Sequence, residues 1–324
     1  MRFNGWGSPD RGAEAVNDSL PRFVSLLAPT LLQNQPISVV RIETTRPVFL
    51  VFGSDPSQPA YVAHIGAREP LERLHGILSR LHGIVPDLVP ASLAAVEWGT
   101  GQFLHVQAGL PGTPWFRLHE RLRTDGDWAQ FEARAMRALD HLHAAIAQVP
   151  DWRCRVHVSA ELDAQIEQLV ARDSEIGRDL IQPLLKEVEK LSALGSVDSV
   201  WQHGDFCLNN LMVADASLGI IDFEEFGETA VPLHDEIGLG LSLHEFSDRA
   251  DDWDQAWRHV RRCAEPTLLA NPALSSYMDG LFVHHLVWRI NRASERPTRA
   301  VIRAKLVAML RAFIAAGARS FTKP

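Results

Sequence analysis

The sequence predicts an α+β protein in two lobes: an N-terminal antiparallel sheet with one helix, then a larger, mainly helical C-terminal lobe. Three observations carry this. Short β-branched and aromatic runs, ISVVRIE, VFLVFG and YVAHIG, alternate with the turn segments TTRP and SDPSQPA, as in an antiparallel meander. The Gly/Pro-rich stretch GLPGTPW, 109–115, interrupts the chain. Beyond it, apolar residues recur mostly at helical spacing. The expected boundary separates residues 1–108 from 109–324.

Taken in order, residues 1–18 are Gly-rich and polar, and LPRFVSLLAPTLL predicts a short amphipathic helix. The three strands follow. In EPLERLHGILSRLHG, Leu71, Leu74, Ile77, Leu78 and Leu81 fall on one helical face. LAAVEWG and QFLHVQA predict two further strands around the Gly-Thr-Gly turn at 99–101. In the second lobe, FEARAMRALDHLHAAIAQV places Phe131, Ala135, Leu139, Leu142, Ile146 and Val149 on one face. ELDAQIEQLVAR, IQPLLKEVEKLSAL, DDWDQAWRHVRRCA, YMDGLFVHHLVWRINRA and RAVIRAKLVAMLRAFIAAGA predict the remaining helices.

Apolar residues make up 46% of the 324, enough for a sizeable core in each lobe. A net charge of −8 argues against a nucleic-acid partner. The N-terminus has no apolar signal segment, and no window of eighteen residues is apolar enough to predict a membrane span. Cys154, Cys207 and Cys263 lie far apart without metal-type spacing, which predicts reduced thiols in a cytoplasmic protein.

The chemistry concentrates in WQHGDFCLNNLMV, 201–213, and IDFEEFG, 221–227. Asp222 sits between Ile221 and Phe223, and burying a lone carboxylate is costly. Two aspartates and an asparagine in so short a span suggest one shared cationic partner. Phosphoryl transfer needs a carboxylate near the attacking hydroxyl, metal ions across the phosphates, and ligands for those ions. Mg²⁺ is usually held by one or two protein carboxylates plus phosphate oxygens. Asn210 and Asp222 meet that demand, leaving Asp205 to orient or deprotonate an acceptor hydroxyl.

His203-Gly204-Asp205, Asn210, a short hairpin and Ile221-Asp222-Phe223 together resemble the catalytic core of the aminoglycoside phosphotransferase and choline kinase group, small-molecule kinases with a protein-kinase-like fold. FLHVQAGLPGTPW resembles that group's last N-lobe strand and hinge. Leu142-His143 resembles a helix pair, and PLHDEIGLGL the segment that places an aspartate, here Asp235, beneath the catalytic loop. The resemblance covers roughly residues 36–245. It implies ATP or GTP as phosphate donor, Mg²⁺, and a small-molecule hydroxyl acceptor. It also implies Asp205 as catalytic base, His203 as a brace for the loop, and Asn210 and Asp222 as metal ligands. For Asp235 the expectation is loop bracing or helix capping.

The chain departs from the pattern on its third strand. His64 stands where the group carries a phosphate-gripping lysine, and the lysine's glutamate partner falls at Leu74, with Glu72 the nearest carboxylate. Losing both members of an ion pair is self-consistent, because a single buried survivor would be costly. The loop ETTRPVF lacks glycine, so its backbone cannot easily wrap phosphate; Thr44, Thr45 and Arg46 offer hydroxyls and a guanidinium instead. The expected nucleotide contacts are therefore His64, Arg46 and Thr45. Adjacent His284-His285 predicts a core or groove-lining position rather than a joint metal site, and Trp253, Trp257 and Trp288 predict packing, with an aromatic acceptor wall as the alternative. Glu224 and Glu225 face either the acceptor or solvent. Two other readings stand beside the kinase: a pseudokinase-like binding protein without turnover, and a kinase-fold transferase with a non-standard nucleotide pose that moves another group.

Overall fold

The computed structural model describes residues 38–42, 47–99, 101–118, 124–215, 217–245, 253–295 and 299–317. The helix expected over 20–32, together with Thr44, Thr45 and Arg46, lies outside the described residues. The chain divides into two compact units. One runs as far as His75 and resumes over Ser92–Leu110; the other takes Gly76–Ala91 and everything from Pro111.

The first unit holds a five-stranded antiparallel sheet: β1 (Ser38–Ile42), β2 (Val48–Phe52), β3 (Pro59–Gly66), β4 (Ser92–Gly99) and β5 (Gln102–Ala108), in the order β1-β2-β3-β5-β4. Helix α1 (Arg68–Ile84) connects β3 to β4, and the division between units falls within it. Strand alternation sorts the side chains as expected. Phe49, Val51, Ala63, Leu104, Val106 and Trp98 build one apolar cluster, joined by Tyr61 and Ile65. His64 therefore belongs to the opposite face, where its register partners are Val48 and His105.

The second unit is mainly helical. It contains α2 (Asp125–Ile146), α3 (Val158–Arg172), α4 (Ser174–Ser192), α5 (His234–Glu245), α6 (Trp253–Ala270), α7 (Met278–Ser294) and α8 (Ala300–Gly317). Thr124 caps α2 reciprocally with Asp127, which is why the helix starts there. The core joins Leu162, Ile166 and Leu169 of α3 to Leu281, Phe282, Leu286 and Ile290 of α7 and Leu310 and Phe313 of α8. His284 and His285 are buried in α7. Trp257 packs on Phe282 and Phe313, and Trp288 meets His234 edge-on; both tryptophans serve packing.

Three features differ from the sequence-based expectation. Helix α4 begins seven residues earlier than predicted and carries Pro183 in its interior, and α6 runs on through Pro266. A proline inside a helix loses one hydrogen bond, but buried Leu180 and Leu184 pin α4 on both sides of it. The segment Arg153–His157 forms strand β7, paired with β8 (Ser196–Val200); with about forty residues between them, no local turn signal marks the pair. The hairpin expected between Asn210 and Ile221 is present as β9 (Leu211–Val213) and β10 (Leu218–Ile220); what differs is that β6 (Thr113–Pro114), from the GLPGTPW stretch, pairs with β9 as a third strand. Among the described residues, no helix is long and apolar enough to cross a membrane.

Candidate active site

The loop from Trp201 to Asn210 links β8 to β9 and is fixed by alternate anchoring. Phe206, Leu208 and Leu211 are fully buried, so the residues between them are held to the surface of the core. Gly204 has φ +86, and a Cβ there would lie 2.6 Å from the Glu225 carbonyl oxygen. Only glycine lets the two halves of the motif press together at this point.

A buried carboxylate holds the loop from below. Asp235, in the first turn of α5, accepts the backbone N–H of His203 at 2.7 Å and that of Gly204 at 3.0 Å. His143 Nε2 of α2 lies 3.1 Å from the same carboxylate. Burial alone would raise the Asp235 carboxyl, yet the bond and charge of His143, with His203 and His234, hold it below the usual range. His203 is buried, stacks edge-on to Phe223, and places Nε2 3.2 Å from the Ile221 carbonyl. It ties the loop to the segment that carries Asp222. The Ile221 N–H in turn donates to the Asn210 carbonyl at 2.9 Å.

Asp205, Asn210 and Asp222 are brought together. Asn210 Nδ2 donates to the Asp205 carbonyl at 2.8 Å, so the amide oxygen is the atom left for a cation. Asp222 adopts a left-handed conformation, φ 65 and ψ 64, uncommon for a residue other than glycine. Its carboxyl is pushed up to about 7, by desolvation first and then by repulsion from Asp205, Glu224 and Glu225. The side chain opens to solvent, so the crowding of carboxylates is the more durable cause. A divalent cation would relieve it. Among the described residues, no three His, Cys, Asp or Glu side chains converge as a metal cage. An amide oxygen and one carboxylate instead suit Mg²⁺, which keeps most of its shell for phosphate and water.

Sequence reasoning missed the arginines. Arg289 of α7 places Nη1 2.5 Å from Asp205 Oδ1. Burial would raise the Asp205 carboxyl, but Arg289 keeps it below the usual range. Glu225, buried beside it, has Arg289, Arg292 and Arg299 at 3.7, 3.9 and 3.8 Å. One signal could have found Arg289: like the aspartates, it sits between apolar neighbours, Trp288 and Ile290.

In the first unit, His64 shares its sheet face with a polar chain. Ser92 Oγ lies 2.7 Å from both His105 Nε2 and His75 Nδ1 of α1. The His64 and His105 rings are 6.0 Å apart. Burial drives the His105 imidazole down to about 3, with help from His64 and His75, so it is neutral. Leu74 is buried, and the Glu72 carboxylate pairs with Arg68 at 3.4 Å on the surface.

This fold is shared with solved kinases. Aminoglycoside phosphotransferase APH(4)-Ia matches over 93% of this chain and 99% of its own, with a TM-score of 0.63 and 12% identity. Choline kinase from Cryptosporidium parvum Iowa II matches over 91% and 95%, with a TM-score of 0.62 and 10% identity. Amicoumacin kinase hAmiN, solved in complex with AMP-PNP, Ca²⁺ and Ami, matches over 92% and 95%, with a TM-score of 0.57 and 13% identity. At these identities the likeness is one of fold. No curated protein matches the sequence. The family model described as "Phosphotransferase enzyme family" matches residues 38–235, more than half of the sequence, and the chain belongs to that family.

Proposed function

We propose that the protein is a Mg²⁺-dependent phosphotransferase that moves the terminal phosphate of ATP or GTP to a hydroxyl of a small molecule. The observation that carries this reading is the crowding of Asp222 against Asp205 beside the Asn210 amide, an arrangement that a cation would relieve. In this reading Asn210 and Asp222 would hold Mg²⁺, which supplies charge neutralisation across the phosphates when bound. Nucleotide phosphates are assigned to His64, Thr45 and Arg46. Asp205 keeps Oδ1 on Arg289 and offers Oδ2 to the acceptor hydroxyl. The hydroxyl oxygen forms the new bond to the γ-phosphorus as the bond to the bridging oxygen breaks. Because Asp205 is held ionised, it acts chiefly as the acceptor that aims this hydroxyl, and the proton leaves through it late in a loose transition state. Membership of a family of small-molecule kinases and three free cysteines suit a cytoplasmic enzyme with no nucleic-acid or membrane partner.

The absence of the lysine and its glutamate favours a second reading, a nucleotide-binding protein without turnover. ³¹P NMR with ATP or GTP, Mg²⁺ and a panel of hydroxyl compounds separates the two. The enzyme reading expects a new phosphate ester, lost in Asp205→Asn. Metal-dependent nucleotide binding without any ester supports the second reading. No nucleotide binding at all overturns both.

A further inference from the structure

We infer that the acceptor carries an oxyanion, a carboxylate or a phosphate, as well as the hydroxyl it offers. This rests on the phosphotransferase reading and names the substrate class of that site. The ground is the charge and hydrogen-bond inventory around Asp205. Three guanidinium groups, of Arg289, Arg292 and Arg299, gather about two carboxylates, Asp205 and Glu225. Among the described residues three guanidinium groups meet these two carboxylates, and Glu224 lies beside Asp222. Glu295, which also meets Arg292, is matched by Arg172 at 3.0 Å. Asp222 is set aside for the cation.

The donors are also in excess. Each guanidinium carries five N–H groups. Arg289 donates one to Asp205, and Arg292 one to Glu295. Arg299 makes only the 3.8 Å approach to Glu225 among the described residues, longer than a hydrogen bond. Buried Glu225 holds the three cations near one another, while its Oε2 has no hydrogen-bond partner among the described residues. The three arginine side chains keep 21%, 26% and 24% of their surface, so they reach solvent and a ligand can reach them. Arg299 is close enough for its charge to act on Asp205. A planar fork of donors beside the carboxylate that aims the hydroxyl is built for carboxylate or phosphate. A polycationic acceptor would meet like charge at the same place. Arg299 and Arg292 would hold the oxyanion while Arg289 stays on Asp205.

Calorimetry at constant ionic strength, with chloride as the reference anion, tests this directly. The probes are inorganic phosphate, glycerate and uncharged glycerol. Wild type is expected to bind phosphate or glycerate saturably and glycerol not at all; which anion binds more tightly decides between the two groups. Arg299→Gln is expected to weaken that binding about tenfold or more, the loss of one charge-assisted contact. Arg299→Lys keeps the charge and loses the fork, and should fall between. Asp222→Ala should retain anion binding while losing Mg²⁺-dependent nucleotide binding. Anions that bind wild type no better than chloride, or equally well to Arg299→Gln, overturn the inference. If nucleotide binding persists in that case, the phosphotransferase reading stands without it.

Discussion

Asp235 reaches back across 32 positions to hold the backbone N–H of His203 at 2.7 Å. The same carboxylate takes the Gly204 N–H, so one buried group fixes the two residues that precede Asp205. Removing it strands two buried backbone donors and the His143 ring. Asp235→Ala is expected to destabilise the protein by about 3 kcal/mol or more, the range seen when one partner of a buried ionic contact is deleted. Asp235→Asn keeps one acceptor oxygen and should cost less. Urea unfolding of the three proteins checks this; equal stability of wild type and Asp235→Ala would remove the bracing role.

Several buried histidines set the response to acid. Burial holds His284 down to about 4 and His105 to about 3, and lowers His234 and His285 well below the ordinary value. A histidine depressed in the folded state contributes its full stability above about 6.5, the unfolded value. That contribution is lost as pH falls from there toward the folded value, at up to about 1.4 kcal/mol per pH unit for each group. His143 works the other way: burial lowers it, but Asp235, Glu236 and Asp140 raise it more, so its contribution is full below about 6.5 and fades as pH climbs through its raised value. The raised Asp222 carboxyl acts in the same sense as His143, and the four depressed rings outnumber the two. Unfolding free energy is expected to drop by at least about 2 kcal/mol between pH 6.5 and 5. Denaturant melts at the two values decide it, and a flat profile would contradict the neutral burial of these rings.

His284 gives the sharpest single test of that picture. Both ring nitrogens are buried with no hydrogen-bond partner among the described residues, and the side chain sits in the apolar core around α7. A buried polar group without a partner costs about 1–3 kcal/mol. His284→Leu, similar in volume, is expected to raise stability at pH 7 and to raise it further at pH 5. Thermal melts at both values measure the gain; a loss at pH 7 would show that the ring has a partner after all.

Ser92 joins three elements of the first unit, as its hydroxyl bridges His75 of α1 and His105 of β5. Ser92→Ala removes the shared partner and leaves two part-buried ring nitrogens unmatched. A loss of about 1–3 kcal/mol is expected, with Ser92→Thr recovering most of it. Hydrogen exchange adds a local readout: protection should fall first in the opening turns of α1.

Much of this could be read from the chain, and the divide has a physical cause. The α1 face of Leu71, Leu74, Ile77, Leu78 and Leu81 is buried throughout, because local periodicity reports which side meets a core. The pairing of His203, Asp205, Asn210 and Asp222 was legible because one loop and its hairpin carry all four. Arg289 lies 84 residues from Asp205 and Asp235 lies 92 from His143; such contacts exist only once helices have packed. The Ser92 bridge escaped notice for the same reason, since it joins a helix to two strands.

The substitution His64→Lys tests how far the missing lysine matters. His64 lies on the sheet face opposite the apolar cluster, in register with His105. Among the described residues the usual counter-carboxylate is missing: Leu74 is buried and Glu72 is engaged with Arg68. An ammonium there would find its best counter-charge in a nucleotide phosphate. His64→Lys is therefore expected to bind ATP with Mg²⁺ about tenfold more tightly than wild type, one charge-assisted contact's worth. It should also melt slightly lower without nucleotide, because the ammonium then loses its phosphate counter-charge. Wild-type affinity should be weak and should depend strongly on Mg²⁺, and Asp222→Ala should lose that dependence. Calorimetry of the three proteins, each with and without Mg²⁺, measures all of this. Equal binding by all three, or tight binding by wild type without metal, would take His64 out of the nucleotide site.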